Sequence, residues 1–497
     1  MNSEIHVFEK DDGWEVRIDG NESKHFNTLI EAETFAKNKQ SKNNYSIVYH
    51  GKSIIVKRTS GPLINNLLNR LYKSSLMRSS DNFERYLDEL KHIMDRNLEL
   101  GELTDVEKGL TKLLNNRRLN QYRSIEIKDL LLEVTQKQLK TINEENFKKL
   151  QEINLVNENE KVVFFLGAGA SIPDPSSIPG VNNLLSSLWE KAEKLGKPEL
   201  DDLKNFCEQN EITNIEDLLT AAYIADFCVK ELNVVKLLGN FIYPEETGVD
   251  QYELKEKQMV SSVRELLNTL FSLLCGTMII GRPNKIHESI LEFPIEKSII
   301  TTNYDICMDT AISDYTSDIN YKIEDLSNSG VTLIKMHGSI NWFYCKSCQN
   351  IKILTMEDMS QIRNGNQIYP INGMCPACNA LTDLLLVPPT SFKYVDYPIL
   401  IPLWNAAQNC LKEAKLIVFV GYSFSESDDY ILKMITEALR SDPETNLIVF
   451  NQSKSTIDNL KKKISLHIEN YEIDTRLISF MGDANELLPQ ALNIITP

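Results

Sequence analysis

Polar and apolar positions divide the chain into two kinds of territory. Over residues 161–171, "KVVFFLGAGAS", a lysine is followed by five apolar residues and then only by glycine, alanine and serine. A run rich in Val and Phe that stops at Gly167, Ala168 and Gly169 predicts a buried parallel strand entering a tight turn. From about residue 156 onward such runs recur as "VVFFL", "SIITT", "TLIKM", "LIVFV", "NLIVF" and "LISFM", separated by segments of helical spacing. That alternation predicts an α/β fold with a doubly wound parallel sheet.

Upstream the pattern changes. "IHVFEKDDGWEVRIDG" alternates about an Asp-Asp-Gly turn like a hairpin, "NTLIEAETFAKNKQ" has helical spacing, and "YSIVYHGKSIIVKR" reads as a second hairpin about His50 and Gly51. Residues 1–57 are therefore expected to form a small strand-strand-helix-strand-strand (α+β) unit. Over 58–155, Leu and Ile recur at three- and four-residue intervals, as in "YLDELKHIMDRNLEL" and "IKDLLLEVTQKQLKTI", which predicts a helical connector or oligomerisation region. The stripe Leu87, Leu90, Met94 and Leu98 exceeds what one short connector buries, so it is expected to pack on the doubly wound body or on a second protomer.

Composition narrows the function classes. With 497 residues, 42% of them hydrophobic, the chain can bury a large core in two or three domains. A formal charge of -17 argues against generic nucleic-acid binding. The longest apolar stretch, 266–280, is interrupted by Asn268, Thr269 and Ser272, so no membrane span is expected. The opening "MNSEIHVFEKDDGWEV" has neither a basic region nor an apolar signal core, so a cytoplasmic location is expected.

Nine cysteines in so long a chain are not a disulfide framework, but four of them are ordered. "YCKSCQN" supplies Cys345 and Cys348, and "MCPACNA" supplies Cys375 and Cys378. Two C-x2-C knuckles can set four thiolates tetrahedrally about one Zn2+, and a zinc with four sulfur ligands has no open position for water, so the metal is expected to be structural.

In a doubly wound sheet, ligands collect beyond the carboxyl ends of the strands. The residues there are Gly167 to Ser171, "TTNYD" at Thr301 to Asp305, "MHGS" at Met336 to Ser339, and "GYSFSESD" at Gly421 to Asp428. A glycine turn, an amide (Asn303), a carboxylate (Asp305) and a histidine (His337) thus converge on one edge. An ordinary dehydrogenase site is excluded: Ile172 stands where the dinucleotide fingerprint wants a third glycine, and Glu190, at the acidic position, follows Trp189 inside a helical stretch. Ser425 and Asp428 form an S-x-x-D pattern that reads as a capping box opening the last helix of that region.

The order of these segments, together with "IPG" at Ile178 to Gly180 and "GDANELLPQAL" at 482–492, resembles the sirtuin family over about 156–497. The "TNYD", "HGS" and "GYSFSESD" forms are similar to those of the sirtuin-like NAD-hydrolysing proteins of prokaryotic antiphage defence. The resemblance implies a sirtuin-like Rossmann variant with a four-cysteine zinc ribbon at about 343–382 and a helical insertion. It implies that Gly167, Ala168, Gly169 and Ser171 line the pyrophosphate and ribose site, that Asp305 and Asn303 meet the nicotinamide ribose, and that Asn303 and His337 are catalytic. Gly421 and Ser423 would also bind NAD, Ser423 near its adenosine half. Thr302 replaces the glutamine of the protein-deacylating sirtuins, and "VPPTSFK" replaces their peptide-holding segment, where Pro388 and Pro389 lack the N–H groups that strand pairing requires. The implied activity is an NAD glycohydrolase acting as a triggered antiphage effector. The alternatives are an NAD-dependent protein deacylase and a non-catalytic sensor of NAD or ADP-ribose. Implied partners are NAD as substrate, a second copy of the chain, and a defence-system protein or phage-derived trigger.

Overall fold

The computed structural model describes residues 4–218 and 275–496 apart from short stretches, the longest being 37–45, 195–200, 324–329, 364–371 and 388–397. The helical insertion expected across "IEDLLTAAYIADF" and "SSVRELLNTLFSLL", and the prolines Pro388 and Pro389, fall largely or wholly outside the described residues. The chain divides into two compact units, Met1–Glu145 and Asn146–Pro497.

The first unit carries a five-stranded sheet. Strands β1 (Glu4–Lys10) and β2 (Gly13–Ile18) form the expected hairpin, with Lys10 opposite Gly13 across Asp11 and Asp12. A further strand, β3 (Glu22–Phe26), pairs antiparallel with β2 although its sequence, "ESKHF", has little apolar signal. β4 (Ser46–Gly51) runs parallel to β1 and pairs with β5 (Ile54–Val56), giving the order β3-β2-β1-β4-β5. Helices Gly61–Ser75, Ser80–Met94, Leu100–Leu114 and Gln121–Glu152 follow. Val7, Val16 and Ile18 of the sheet share one core with Leu67, Leu71, Leu87, Leu90, Met94, Leu98, Val106 and Leu110 of the helical region. The stripe Leu87, Leu90, Met94 and Leu98 is therefore buried inside this unit, which corrects the expectation that it needs the other domain or a second protomer. Four amphipathic helices, the last through Ile127, Leu130 and Val134, and a sheet face together make the core that one helix could not.

The second unit is built on a seven-stranded, all-parallel sheet. Its strands are β6 (Lys161–Leu166), β7 (Lys297–Thr301), β8 (Ile319–Asn320), β9 (Val331–Lys335), β14 (Ala414–Val420), β15 (Asn446–Phe450) and β16 (Leu477–Phe480), in the order β16-β15-β14-β6-β7-β9-β8. The chain winds outward from β6 through β7 and β9, then returns to β14 and winds the other way, so the topological switch point lies between β6 and β14. "VVFFL" does not alternate because both faces of the sheet are covered. Val162, Phe164 and Leu166 face helices Lys285–Glu292, Cys307–Thr316 and Ala484–Ile495, while on the other face Phe165 meets Phe419 and Tyr422 at ring distances of 5.5 and 4.8 Å.

Directly after β9 the chain enters a second, four-stranded sheet of β10 (Gly338–Tyr344), β11 (Ile351–Ile353), β12 (Asn372–Met374) and β13 (Leu381–Leu386), ordered β11-β10-β13-β12. Only Met336 and His337 separate β9 from β10. Gly338 makes this turn with φ +76°, and a Cβ there would sit 2.1 Å from the Leu385 carbonyl oxygen, so the residue after His337 has to be glycine.

Candidate active site and metal centre

The glycine turns come first, because they bring the two halves of the sheet together. Gly167 N–H donates to the Val420 carbonyl at 3.0 Å and Gly169 N–H to the Gly421 carbonyl at 2.9 Å. Side chains have no room here: a Cβ on Gly167 would lie 2.5 Å from Tyr422 Cα, and one on Gly421, at φ +63°, 2.4 Å from the Gly169 carbonyl carbon. Ala170 and Ser171 N–H close the turn on Gly167 and Ala168. Two of the turn's N–H groups thus serve the loop-to-loop junction and two close the turn itself, and these bonds do not use that of Ala168, which lines the clefts on either side.

The first cleft, about 90 Å³, is lined by Ala168, Thr302, Asn303, Tyr304, Asp305, His337, Tyr422, Ser423 and Asp428, with Ile178, Leu184 and Met278 among its apolar walls. Asn303, beyond β7, donates Nδ2–H to the Gly167 carbonyl at 3.0 Å and to Ser171 Oγ at 3.3 Å, while its own N–H is held by Thr301 Oγ1. Ser171 is fully buried behind Asn303 and lines neither cleft. Asp305 accepts from Cys307 N–H at 2.9 Å, starting helix Cys307–Thr316, and still lines the cleft. His337 Nε2 lies 2.6 Å from Tyr430 Oη and 3.8 Å from Asp428 Oδ1. Asp428 Oδ2 accepts from Tyr422 Oη–H at 2.9 Å. The carboxylate makes no side-chain cap on helix Asp429–Ser441, which corrects the capping-box reading of Ser425 and Asp428.

Beneath the cleft runs a buried polar frame. Lys335 Nζ, with no exposure, donates to the Asp305 carbonyl at 2.6 Å and to Asp309 Oδ2 at 2.7 Å, and Tyr321 Oη–H donates to Asp309 Oδ1 at 2.6 Å. The lysine thereby ties the end of β9 to the "TNYD" turn. His287, also buried, faces Asn284, whose side chain caps helix Lys285–Glu292 and reaches the Ala170 carbonyl at 2.9 Å. Burial pulls the His287 pKa down to about 4 against the opposing pull of Asp305 and Asp309, so its imidazole is neutral.

A second, larger cleft of about 580 Å³ adjoins the first and shares Ala168, Ser423 and Ser425 with it. Gly169, Gly421, Asn451, Gln452 and Ser453 line it, and it takes in the first turns of helices Val181–Lys194, Lys454–His467 and Ala484–Ile495 through Asn183, Thr456 and Ala484. Among the described residues its lining carries no charged side chain. Helix N-termini and neutral polar groups suit an anionic ligand held through backbone dipoles. The strand-end argument extends to β15 and would have found Asn451. Tyr430 lies inside a helix, two residues past the strand-end segment, and no periodicity singles it out.

The four cysteines converge. The Sγ atoms of Cys345, Cys348, Cys375 and Cys378 all lie within 4.8 Å of one another. The two knuckles repeat one turn: Gln349 N–H returns to the Cys345 carbonyl at 2.8 Å and Asn379 N–H to that of Cys375 at 2.9 Å, with Gln349 and Asn379 at φ near +60°. The backbone N–H of Cys348 helps pull the Cys345 pKa down to about 6, toward the thiolate that a metal takes. Four sulfurs and no oxygen donor fit Zn2+.

A family model described as a SIR2-like domain matches residues 297–475. Among solved structures, the chain is similar to one presented for the mechanism and regulation of Sir2 enzymes, at 16% identity and a TM-score of 0.37 over 71% of this chain and 98% of that one. It is also similar to a Sir2 homologue in complex with NAD, at 15% identity and a TM-score of 0.39 over 70% and 93%. An ADP-ribose complex of a Sir2 homologue variant matches at 15% and 0.36 over 70% and 95%. No curated protein matches by sequence. The parallel sheet, its switch point and the four-cysteine module are those of a sirtuin-like fold, the module being able to hold a metal. Among the described residues no helix is long and apolar enough to cross a membrane.

Proposed function

We propose that the chain is an NAD glycohydrolase, cleaving NAD to nicotinamide and ADP-ribose. The observation that carries this reading is the meeting of Asn303, Asp305 and His337 in one apolar-walled cleft that adjoins a larger, neutral cleft at the switch point. The larger cleft would take the adenosine and pyrophosphate and the smaller the nicotinamide riboside. Sir2 homologues have been captured with NAD and with ADP-ribose.

The reaction breaks the ribose C1′–N bond, and its electron pair leaves on nicotinamide. The transition state has oxocarbenium character, so the site has to orient the ribose and stabilise positive charge before water adds to C1′. Asn303, fixed by Gly167 and Ser171, would hold the water or a ribose hydroxyl, and Asp305 would accept from ribose hydroxyls. His337 would take the proton lost by the attacking water, a role suited to an imidazole near neutral pH. Zn2+ at the four cysteines would hold the small sheet together and take no part in the chemistry.

The test is to incubate the purified chain with NAD, with and without lysate from phage-infected cells, and separate the products. Nicotinamide and ADP-ribose should appear without any acyl-lysine peptide, and His337→Ala should lower turnover by about 100- to 10,000-fold, with Asn303→Ala also inactive. Turnover that requires an acyl-lysine peptide would make the chain a deacylase, and NAD binding without turnover even in the presence of that lysate would make it a sensor. An enzyme of this kind depletes NAD in its own host, which fits a triggered antiphage effector whose control lies in Met1–Glu145 or in self-association. Cellular NAD should then fall on phage infection only in cells carrying active protein.

A further inference from the structure

We infer that Tyr430 is a positioning residue for His337, and that with Asp428 it fixes the proton on Nε2 and leaves Nδ1 as the base. This inference rests on the glycohydrolase reading of the cleft.

The backbone around His337 is held from three sides. Met336 N–H donates to the Thr301 carbonyl at 2.9 Å, the His337 carbonyl accepts from Val387 N–H at 2.9 Å, and Trp404 Nε1–H donates to the Met336 carbonyl at 2.8 Å. The side chain is then held from a fourth side by Tyr430, whose hydroxyl lies 2.6 Å from Nε2. Trp404 packs on the Tyr430 ring at 6.0 Å, so one indole braces both the backbone before His337 and the phenol against its ring. His337 and Asp428 line the first cleft, but Tyr430 is absent from its lining, so the phenol reaches the imidazole from outside the cavity. A base oriented by a third group behind it is the general arrangement of activated catalytic groups.

The tautomer follows from the charges around Nε2. Asp428 Oδ1 lies 3.8 Å from that nitrogen, and Asp428 Oδ2 is fixed by Tyr422 at 2.9 Å, so the carboxylate favours a proton on Nε2. With Nε2–H donating to Tyr430 Oη, a neutral imidazole has its lone pair on Nδ1. When Nδ1 takes the water's proton, the imidazolium forms beside Asp428, which stabilises it. The proton balance is complete within His337, and neither Tyr430 nor Asp428 changes its own protonation state.

Tyr430→Phe keeps the ring against Trp404 and removes only the hydroxyl. Its expected effect is a fall in kcat of about tenfold or more, the weight of one hydrogen bond to a charged group, with KM for NAD unchanged. Nitrogen NMR of histidine-labelled full-length protein, with the His337 signals assigned through His337→Gln, supplies a readout independent of turnover. Wild-type His337 should be the Nε2–H tautomer, and Tyr430→Phe should populate the Nδ1–H form. An Nδ1–H tautomer in the wild type, or His337 nitrogens unmoved in Tyr430→Phe, would overturn the inference, the latter even if kcat fell, because the loss would then come from packing. If the wild type turns over no NAD even with lysate from phage-infected cells, the glycohydrolase reading fails, and the tautomer measurement still decides the role of Tyr430.

Discussion

Two buried groups beneath the cleft show how single residues set its stability. Lys335 and Asp309 have no exposure and satisfy each other at 2.7 Å, with Tyr321 and the Asp305 carbonyl completing the frame. Lys335→Met leaves the Asp309 carboxylate buried without its cation, and should cost about 3–5 kcal/mol in denaturant unfolding. His287 makes stability depend on pH. Its folded pKa is depressed to about 4, so below its ordinary value near 6.5 the unfolded chain binds the proton more readily than the folded one. The stability held by neutral His287 is complete above about pH 6.5 and is lost as pH falls toward 4. Between pH 7.5 and 5 the wild type should lose about 2 kcal/mol that His287→Gln does not lose. Equal slopes for the two proteins would remove His287 from the acid response.

At the scale of elements, the small sheet of β10 to β13 has two ends of different character: Ile340, Trp342, Phe343, Leu385 and Leu386 are buried, whereas the knuckle end offers less apolar cover. Cys345 and Cys375 are buried, but Met374 and Leu381, opposite each other on β12 and β13, are exposed. The knuckle end of the sheet, with Met374 and Leu381 exposed, would be held by the ligands of a bound metal. Metal analysis should find one zinc per chain, and Cys348→Ser should lower solubility and expose the sheet to protease. Zinc-free protein of unchanged protease resistance would show that the knuckles close without metal. The turn Met336–His337–Gly338 couples this element to the cleft, because β10 begins one residue past His337. Gly338→Ala forces a Cβ onto the Leu385 carbonyl and should disturb both the sheet and the histidine.

At the scale of the whole molecule, the boundary between units falls within helix Gln121–Glu152, at Glu145. The last turns of that helix belong to the second unit: Asn146 Nδ2–H donates to the Ser479 carbonyl at 2.8 Å, Phe147 packs on Phe480 at 4.6 Å, and Leu150 is in the core of the parallel sheet. A truncation beginning at residue 146 should therefore fold with its zinc, whereas one beginning at residue 151 should lose about 2–5 kcal/mol with Leu150. Thermal unfolding of the two fragments side by side checks this. If control of activity lies in Met1–Glu145, the 146–497 fragment should differ from the full chain in self-association by light scattering or in NAD turnover.

The apolar runs, the glycine turns and the paired cysteines determined by themselves that the second unit would be a parallel sheet with a four-cysteine knuckle, because strand period, turn stereochemistry and ligand spacing are local properties. The same local reasoning brought Asn303, Asp305 and His337 to one edge, since residues after parallel strands share that edge whatever the rest of the chain does. Local pattern said nothing useful about β3, whose "ESKHF" becomes a strand only because β2 offers it an edge. Nor did it reveal that the Leu87 stripe would be covered from within its own unit, a matter of how four helices pack on a sheet. Tyr430 meets His337 across 93 residues of chain, and Asp428 and Trp404 come to the same turn from comparably remote elements. Only tertiary packing could assign them, because a hydrogen bond to a ring nitrogen depends on where two elements come to rest and leaves no period in the sequence.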